Sequence, residues 1–156
     1  MNRIKILIVD DHAMFREGIK ALLEPHSEFE IVGEAGNGEE AIQKTRELNP
    51  QVILMDIGMA GSDGLMATWK IKADFPQIAI LALTIHDTEE YFFEMLKAGA
   101  SGYVLKEAPS SELFTAIKDV AEGKAHICSV MYRKLLDDYL RRVKSGEEKK
   151  SSEVLS

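Results

Sequence analysis

Hydrophobic positions along the 156-residue chain fall into two alternating patterns. Short runs rich in β-branched and aliphatic residues, at Ile4 to Val9, Glu30 to Glu34, Val52 to Met55, Ile78 to Leu83 and Gly102 to Leu105, have the pattern of strands. Between them, apolar residues recur at helical spacing. Phe15, Ile19, Leu22 and Leu23 form a stripe that stops at Pro25, and Ala41, Ile42, Thr45 and Leu48 form one that stops at Pro50. Further helices are predicted over Asp63 to Asp74, Thr88 to Ala98 and Ser110 to Glu122, the last turning Leu113, Ile117, Val120 and Ala121 inward. Regular alternation of strand and helix predicts an α/β fold: a doubly wound parallel sheet of five strands. Right-handed crossovers then place helices on both of its faces.

The alternation stops after Gly123. Ile127, Val130, Met131, Leu135, Tyr139, Leu140 and Val143 make one more stripe, which predicts an extra C-terminal helix within 125–144. Residues 145–156 are dominated by Lys, Glu, Ser and Gly, too polar to bury a core, and are expected to be a flexible linker. The chain therefore reads as a domain over 1–124, a helix and a connector toward something further. No internal repeat or low-complexity segment interrupts this plan.

Composition narrows the class. At 46% hydrophobic residues the chain is ordinary for a globular protein. A chain of this length buries roughly two-thirds of its unfolded surface, enough to fold without staples. Its single cysteine, Cys128, excludes an internal disulfide framework and suits a reducing compartment. The apolar run after Arg3 and Lys5 ends at Asp10 and Asp11, too soon for a signal peptide, and no stretch approaches the roughly 18 apolar residues of a membrane span. A soluble, cytoplasmic protein is expected. The net charge of −7 is unevenly spread: 12 basic and 21 acidic residues up to Ala125, against 7 and 5 beyond it. An acidic body without a basic stripe argues against direct nucleic-acid binding by this chain.

In an open parallel sheet, functional groups gather outside the carboxyl ends of the strands. The first predicted strand runs into Asp10 and Asp11, the third into Asp56, the fourth into Thr84, and the fifth, containing Tyr103, into Lys106. Taken singly these are ordinary residues: helix-capping acids, a turn acid, a strand-end threonine, a solvated lysine. Taken together they place three carboxylates where mutual repulsion calls for a cation. Mg²⁺, which takes one or two carboxylates plus waters and a phosphate, matches this set. A carboxylate beside such an ion can attack a phosphoryl donor to form an aspartyl-phosphate.

These residues resemble the receiver domain of two-component response regulators over about residues 3 to 123. The resemblance rests on Ile-Leu-Ile-Val-Asp-Asp at 6 to 11, Leu-Met-Asp-Ile-Gly-Met at 54 to 59, Asp63-Gly64, Leu83-Thr84 and Gly-Tyr-Val-Leu-Lys at 102 to 106. It implies a flavodoxin-like, CheY-like strand order of 2-1-3-4-5. It also implies Asp56 as phosphoacceptor, Asp11 as direct Mg²⁺ ligand, Asp10 placing metal-bound water, and the Gly58 carbonyl completing the ligands. Lys106 and Thr84 would hold phosphoryl oxygens, and Tyr103 would switch rotamer with Thr84. Asp-Asp-His-Ala-Met-Phe-Arg-Glu-Gly at 10 to 18 and Lys-Ala-Gly-Ala-Ser-Gly-Tyr-Val-Leu-Lys at 97 to 106 are similar to the NarL/FixJ branch. In that branch a linker leads to a LuxR-type helix-turn-helix, whose first residues Glu153-Val154-Leu155-Ser156 resemble. A phosphorelay transcription regulator follows as the expectation, with a sensor histidine kinase as donor. Homodimerisation on phosphorylation is expected, and DNA contact only through a domain this chain lacks. Two departures stand out: Ala60 where many members have proline, and Ile85, bulkier than the small residue often seen after the threonine and so expected to crowd the active conformer.

Two other classes remain open on sequence. A phosphohydrolase resembling the haloacid-dehalogenase family would want a second acid two residues after the nucleophile, and position 58 is glycine. A flavodoxin-like binding module would want a Ser/Thr/Gly-rich phosphate loop where Asp10 and Asp11 stand. His12 and His86 flank the acids, but no two histidines have metal-ligand spacing, so a zinc site is not expected. Gly33, Gly36 and Gly38 make no dinucleotide fingerprint. Tyr91, Phe92 and Phe93 read as core or interface, and Cys128 as a packed or solvated thiol.

Overall fold

A computed structural model of the chain describes residues 2–59, 63–85 and 89–155. Ala60, His86, Thr88 and Ser156, singled out above, lie outside the described residues. The elements follow in order as β1 (Ile4–Val9), α1 (Ala13–Leu23), β2 (Phe29–Ala35), α2 (Gly38–Leu48), β3 (Val52–Asp56), α3 (Asp63–Asp74), β4 (Ala79–Thr84), α4 (Glu89–Ala98), β5 (Gly102–Leu105), α5 (Ser110–Ala121), β6 (His126–Ile127) and α6 (Ser129–Leu155). The sheet order is β2-β1-β3-β4-β5-β6, the expected doubly wound order with a sixth strand added at the edge. β1 pairs in parallel with β2 and β3, and β4 with β3 and β5.

Every residue of β3 and β4 is buried, as strands covered on both faces must be. Ile6, Ile8, Leu54, Leu81 and Val104 face Ile19, Leu23, Leu113, Ile117 and Val120 in one apolar cluster, which Phe29 closes at the sheet edge. Each fully buried aliphatic side chain contributes about 1.5–3 kcal/mol. Leu22 departs from its predicted stripe and is 42% exposed.

Two strand ends differ from the hydrophobic pattern in a way that matters for the site. β3 and β4 each run one residue further, so Asp56 and Thr84 are the last residues of strands rather than the first of loops. Their backbones continue the ladder, Asp56 opposite Leu83 and Thr84 opposite Leu105. Periodicity reads side chains and misses a strand that continues through a polar one. Gly64 is required just beyond: a Cβ there would meet the Asp56 carbonyl oxygen at 2.6 Å, so only glycine lets α3 start this close to β3.

The chain divides into two units, Met1–His126 and Ile127–Ser156. β6 was not anticipated, because two residues carry no periodicity; the His126 N–H donates to the Ser101 carbonyl at 3.2 Å. The second unit is largely α6. Its backbone stays helical as far as Leu155, where composition predicts a flexible linker. The run Glu147, Glu148, Lys149 and Lys150 in that segment consists of good helix formers, so polarity there does not end the helix. Ion pairs at i, i+4 spacing, Arg133 with Asp137 at 3.2 Å and Arg142 with Asp138 at 2.9 Å, support the preceding turns. Of the predicted apolar stripe, Met131 is buried, whereas Val130, Tyr139, Leu140 and Val143 are exposed.

Candidate functional site

Parallel register brings the strand ends to one level. Val9 stands opposite Met55, Asp56 opposite Leu83 and Thr84 opposite Leu105, so Asp10, Asp56, Thr84 and Lys106 meet along one edge. Backbone bonds fix the level: the Asp10 N–H donates to the Ala35 carbonyl at 3.0 Å, and the Lys106 N–H to the Thr84 carbonyl at 2.7 Å. Asp10, Asp56 and Thr84 are buried, while the Asp11 side chain is 36% exposed at the rim.

Lys106 reaches back across the edge. Its Nζ donates to Asp10 Oδ2 at 2.8 Å and lies 3.2 Å from Asp56 Oδ1. The ammonium also stands 4.2 Å from the centroid of the Phe15 ring, a cation–π contact that steadies it. The Gly58 N–H donates to Asp56 Oδ1 at 2.9 Å. Asp56 Oδ2, by contrast, is buried with no hydrogen-bond partner among the described residues. A buried polar atom without a protein partner is costly, and it leaves bonding capacity that an ion, a ligand or water can complete. Burial pushes the Asp56 carboxyl above the usual carboxylate range; the Gly58 N–H and Lys106 oppose this, and the neighbouring Asp10 charge adds to it.

The donor set fits a divalent cation. Ligand atoms of Asp10, Asp11, His12 and Asp56 all lie within 4.8 Å of one another. Lys106 pairs with two of the three carboxylates, Asp10 and Asp56, and the Asp56 oxygen that lacks a partner among the described residues belongs to the same group. Hard oxygen ligands in this number are what Mg²⁺ takes.

Of the residues read from sequence, Asp10, Asp11, Asp56 and Lys106 come together, with Thr84 buried at the same level. Gly58 is present through its N–H. Tyr103 is fully buried, with the Phe92 ring edge-on at a centroid distance of 5.2 Å. Ile85 is 63% exposed and so turns its bulk to solvent rather than into the site. Two further residues join the site, one read from sequence only as a histidine flanking the acids and one given no role there. His12 turns its Nδ1 toward both N-terminal acids, 3.2 Å from Asp10 Oδ1 and 2.9 Å from Asp11 Oδ1. The signal was there, a histidine adjoining two acids at a strand-to-helix turn, but a search for pairs of histidines passes over it. Arg16 donates through Nη1 to the Asp10 carbonyl and through Nε to Glu34 Oε1 at 3.1 Å, clamping the turn from behind.

A parallel sheet that gathers acids, a threonine and a lysine at its carboxyl edge defines a recognisable class of α/β domain. Within that class the chain belongs to the response regulator receiver domain family, whose model matches residues 6–118. It is 43% identical over 153 residues to the transcriptional regulatory protein DegU of Brevibacillus brevis, covering 98% of this chain and 64% of that protein. To the oxygen regulatory protein NreC of Staphylococcus epidermidis it is 39% identical over 151 residues, covering 96% and 69%. The chain thus spans about two-thirds of the length of these curated relatives, which are named as regulators rather than enzymes. A LuxR-family two-component response regulator from Aurantimonas sp. superposes with a TM-score of 0.83 at 30% identity, covering 89% of this chain and 99% of that one. The isolated receiver domain of RcsB from Salmonella enterica serovar Typhimurium, determined with the phosphomimetic BeF3−, gives 0.76 at 27%, covering 85% and 98%. Among the described residues, no helix is long and apolar enough to cross a membrane.

Proposed function

We propose that this chain is the phosphoacceptor part of a transcription regulator, taking a phosphoryl group on Asp56 from the phosphohistidine of a sensor kinase. The observation that carries the reading is the asymmetry of Asp56: Oδ1 is held by Gly58 and Lys106, while Oδ2 is buried with no partner among the described residues. In the transfer, a bond forms between an Asp56 carboxylate oxygen and phosphorus as the phosphorus–nitrogen bond of the donor breaks and the electron pair leaves with the imidazole. Asp11 would hold Mg²⁺ directly, Asp10 through water, with Asp56 and the Gly58 carbonyl completing the protein ligands. When bound, the ion supplies positive charge against the carboxylates and the phosphoryl oxygens.

The chain's own residues do the rest. Lys106, already poised between Asp10 and Asp56, grips a phosphoryl oxygen, and charge-assisted bonds of this kind are roughly twice as strong as neutral ones. The Thr84 hydroxyl binds another oxygen, and Tyr103 follows it, passing the change to the surface around α4 and β5. Glycine at 58 supplies no second acid for turnover of an external substrate, which favours a switch over a phosphohydrolase. Residues 1–124 form the acceptor domain in this reading. The segment that follows, largely α6, leads in this reading to a DNA-binding domain through which a phosphorylated homodimer acts in the cytoplasm.

The test is incubation with acetyl phosphate and intact-mass measurement. The wild-type chain gains one phosphoryl group in the presence of Mg²⁺; Asp56→Asn, or wild type with the metal chelated, gains none. An equal mass shift in either control removes Asp56 from its role.

A further inference from the structure

Residue 12 caps the N-terminus of α1, a position where Ser, Thr, Asp or Asn is preferred because the side chain bonds the first free N–H groups. His12 occupies it in extended geometry, φ −100° and ψ 108°, and its side chain makes no capping bond. The imidazole turns instead to the acids, Nδ1 standing 2.9 Å from Asp11 Oδ1 and 3.2 Å from Asp10 Oδ1. Its ring is therefore spent on the carboxylates and not on the helix.

With it the cluster holds four potential ligand atoms, from Asp10, Asp11, His12 and Asp56, all within 4.8 Å of one another. Donors around one ion with bonds of roughly 2.1 Å stand roughly 3–4.2 Å apart, so small rotations bring the Asp11, His12 and Asp56 donors onto a single centre, with Asp10 close enough to reach it through water. The groups free to rotate are the rim ones: the His12 side chain is 70% exposed and Asp11 36%, while Asp10 and Asp56 are fixed below. An independent observation says that something is received there, since the buried Asp56 Oδ2 has no hydrogen-bond partner among the described residues.

Carboxylates and water alone suit Mg²⁺, but an imidazole nitrogen is a softer donor, and affinity for such mixed sites rises along the first transition row. We propose that His12 is a nitrogen ligand to the ion held by Asp10, Asp11 and Asp56, and that the site therefore takes Mn²⁺ and Co²⁺ in preference to Mg²⁺. This rests on the reading of the acid cluster as a divalent cation site and adds to it the ion's identity.

The turn itself does not depend on the imidazole, because the His12 backbone N–H holds Asp10 Oδ1 at 2.8 Å whatever the side chain. Replacement therefore tests ligation rather than folding. The full chain, stripped with chelator and loaded with Mn²⁺, is examined by pulsed electron paramagnetic resonance. The expected result is a ¹⁴N coupling of directly bound imidazole that disappears in both His12→Ala and His12→Gln. In calorimetric titration the same variants lose about tenfold or more in Co²⁺ affinity, the scale on which even an outer partner of a ligand is felt, while Mg²⁺ affinity holds. Mn²⁺ that binds wild type without nitrogen coupling, coupling that persists in the variants, or an equal loss for Mg²⁺ and Co²⁺ each overturns the role of His12 and leaves the acid site standing. Failure of every ion to bind, or binding unaffected by Asp11→Ala and Asp56→Asn together, removes the cation site itself.

Discussion

Two charge clusters lie on either side of the turn that follows β1, and they are built to opposite ends. Behind the turn, Glu34 is matched on both oxygens, by Lys20 at 2.8 Å and Arg16 at 3.1 Å. The Lys20 bond, seconded by Arg16 and opposed by burial, holds the Glu34 carboxyl below the usual range. In front of the turn, Asp10 and Asp56 share Lys106 with the Asp11 carboxylate close by, Asp56 Oδ2 has no partner among the described residues, and burial drives the Asp56 carboxyl upward. Completed pairing stabilises a fold but leaves nothing to offer a ligand. An excess of buried negative charge costs stability and stores affinity for a cation. Arg16 joins the two, donating to Glu34 on one side and to the Asp10 carbonyl on the other, so the satisfied cluster anchors the backbone of the unsatisfied one.

The sharpest way to break this contrast is through the cation. If the front cluster is short of positive charge, Asp11→Ala should weaken Mg²⁺ binding by about 10–100-fold, and Asp10→Ala by less, since the proposed reading makes Asp11 the direct ligand and has Asp10 act through water. Calorimetric titration reads both, and equal affinities would refute the ranking. Removing the charge itself comes next. An acid with a raised folded-state value binds protons in the folded chain that the unfolded chain has lost, so its ionisation reduces stability as pH rises through that window. With metal chelated, Asp56→Asn should stabilise the chain by about 1–2 kcal/mol at neutral pH. The gain should shrink as pH falls below the folded-state value of Asp56. Urea unfolding across pH measures it, and a destabilised variant would contradict the unpaired charge.

The smallest effect is expected behind the turn and has the opposite sign. An acid with a depressed folded-state value stabilises above its unfolded value, and this contribution is lost as pH falls through the folded one. Glu34 is a third exposed, so solvent screens its pairs. Glu34→Gln should cost about 0.5–1 kcal/mol at neutral pH, less in high salt, and nothing in acid. A gain in stability there would erase the distinction between the clusters.

Hydrophobic periodicity alone determined the alternation of strand and helix, the parallel sheet and the placement of Asp10, Asp11, Asp56, Thr84 and Lys106 at strand ends, because burial on two faces writes itself into residue type. The order of those residues along the chain further fixed the family resemblance. Side-chain pattern could not find the last residues of β3 and β4, the two-residue β6 or the helical continuation to Leu155, all of which depend on backbone pairing or on propensity without a buried face. Only the tertiary structure decided which charges are matched. Lys106 reaches Asp10 across 96 positions of sequence and Arg16 reaches Glu34 across 18, whereas Asp56 Oδ2 is reached by no described residue. Electrostatic pairing depends on distances of a few ångströms and on exclusion of water, and neither is set until the strands have taken their register and the helices have closed over them.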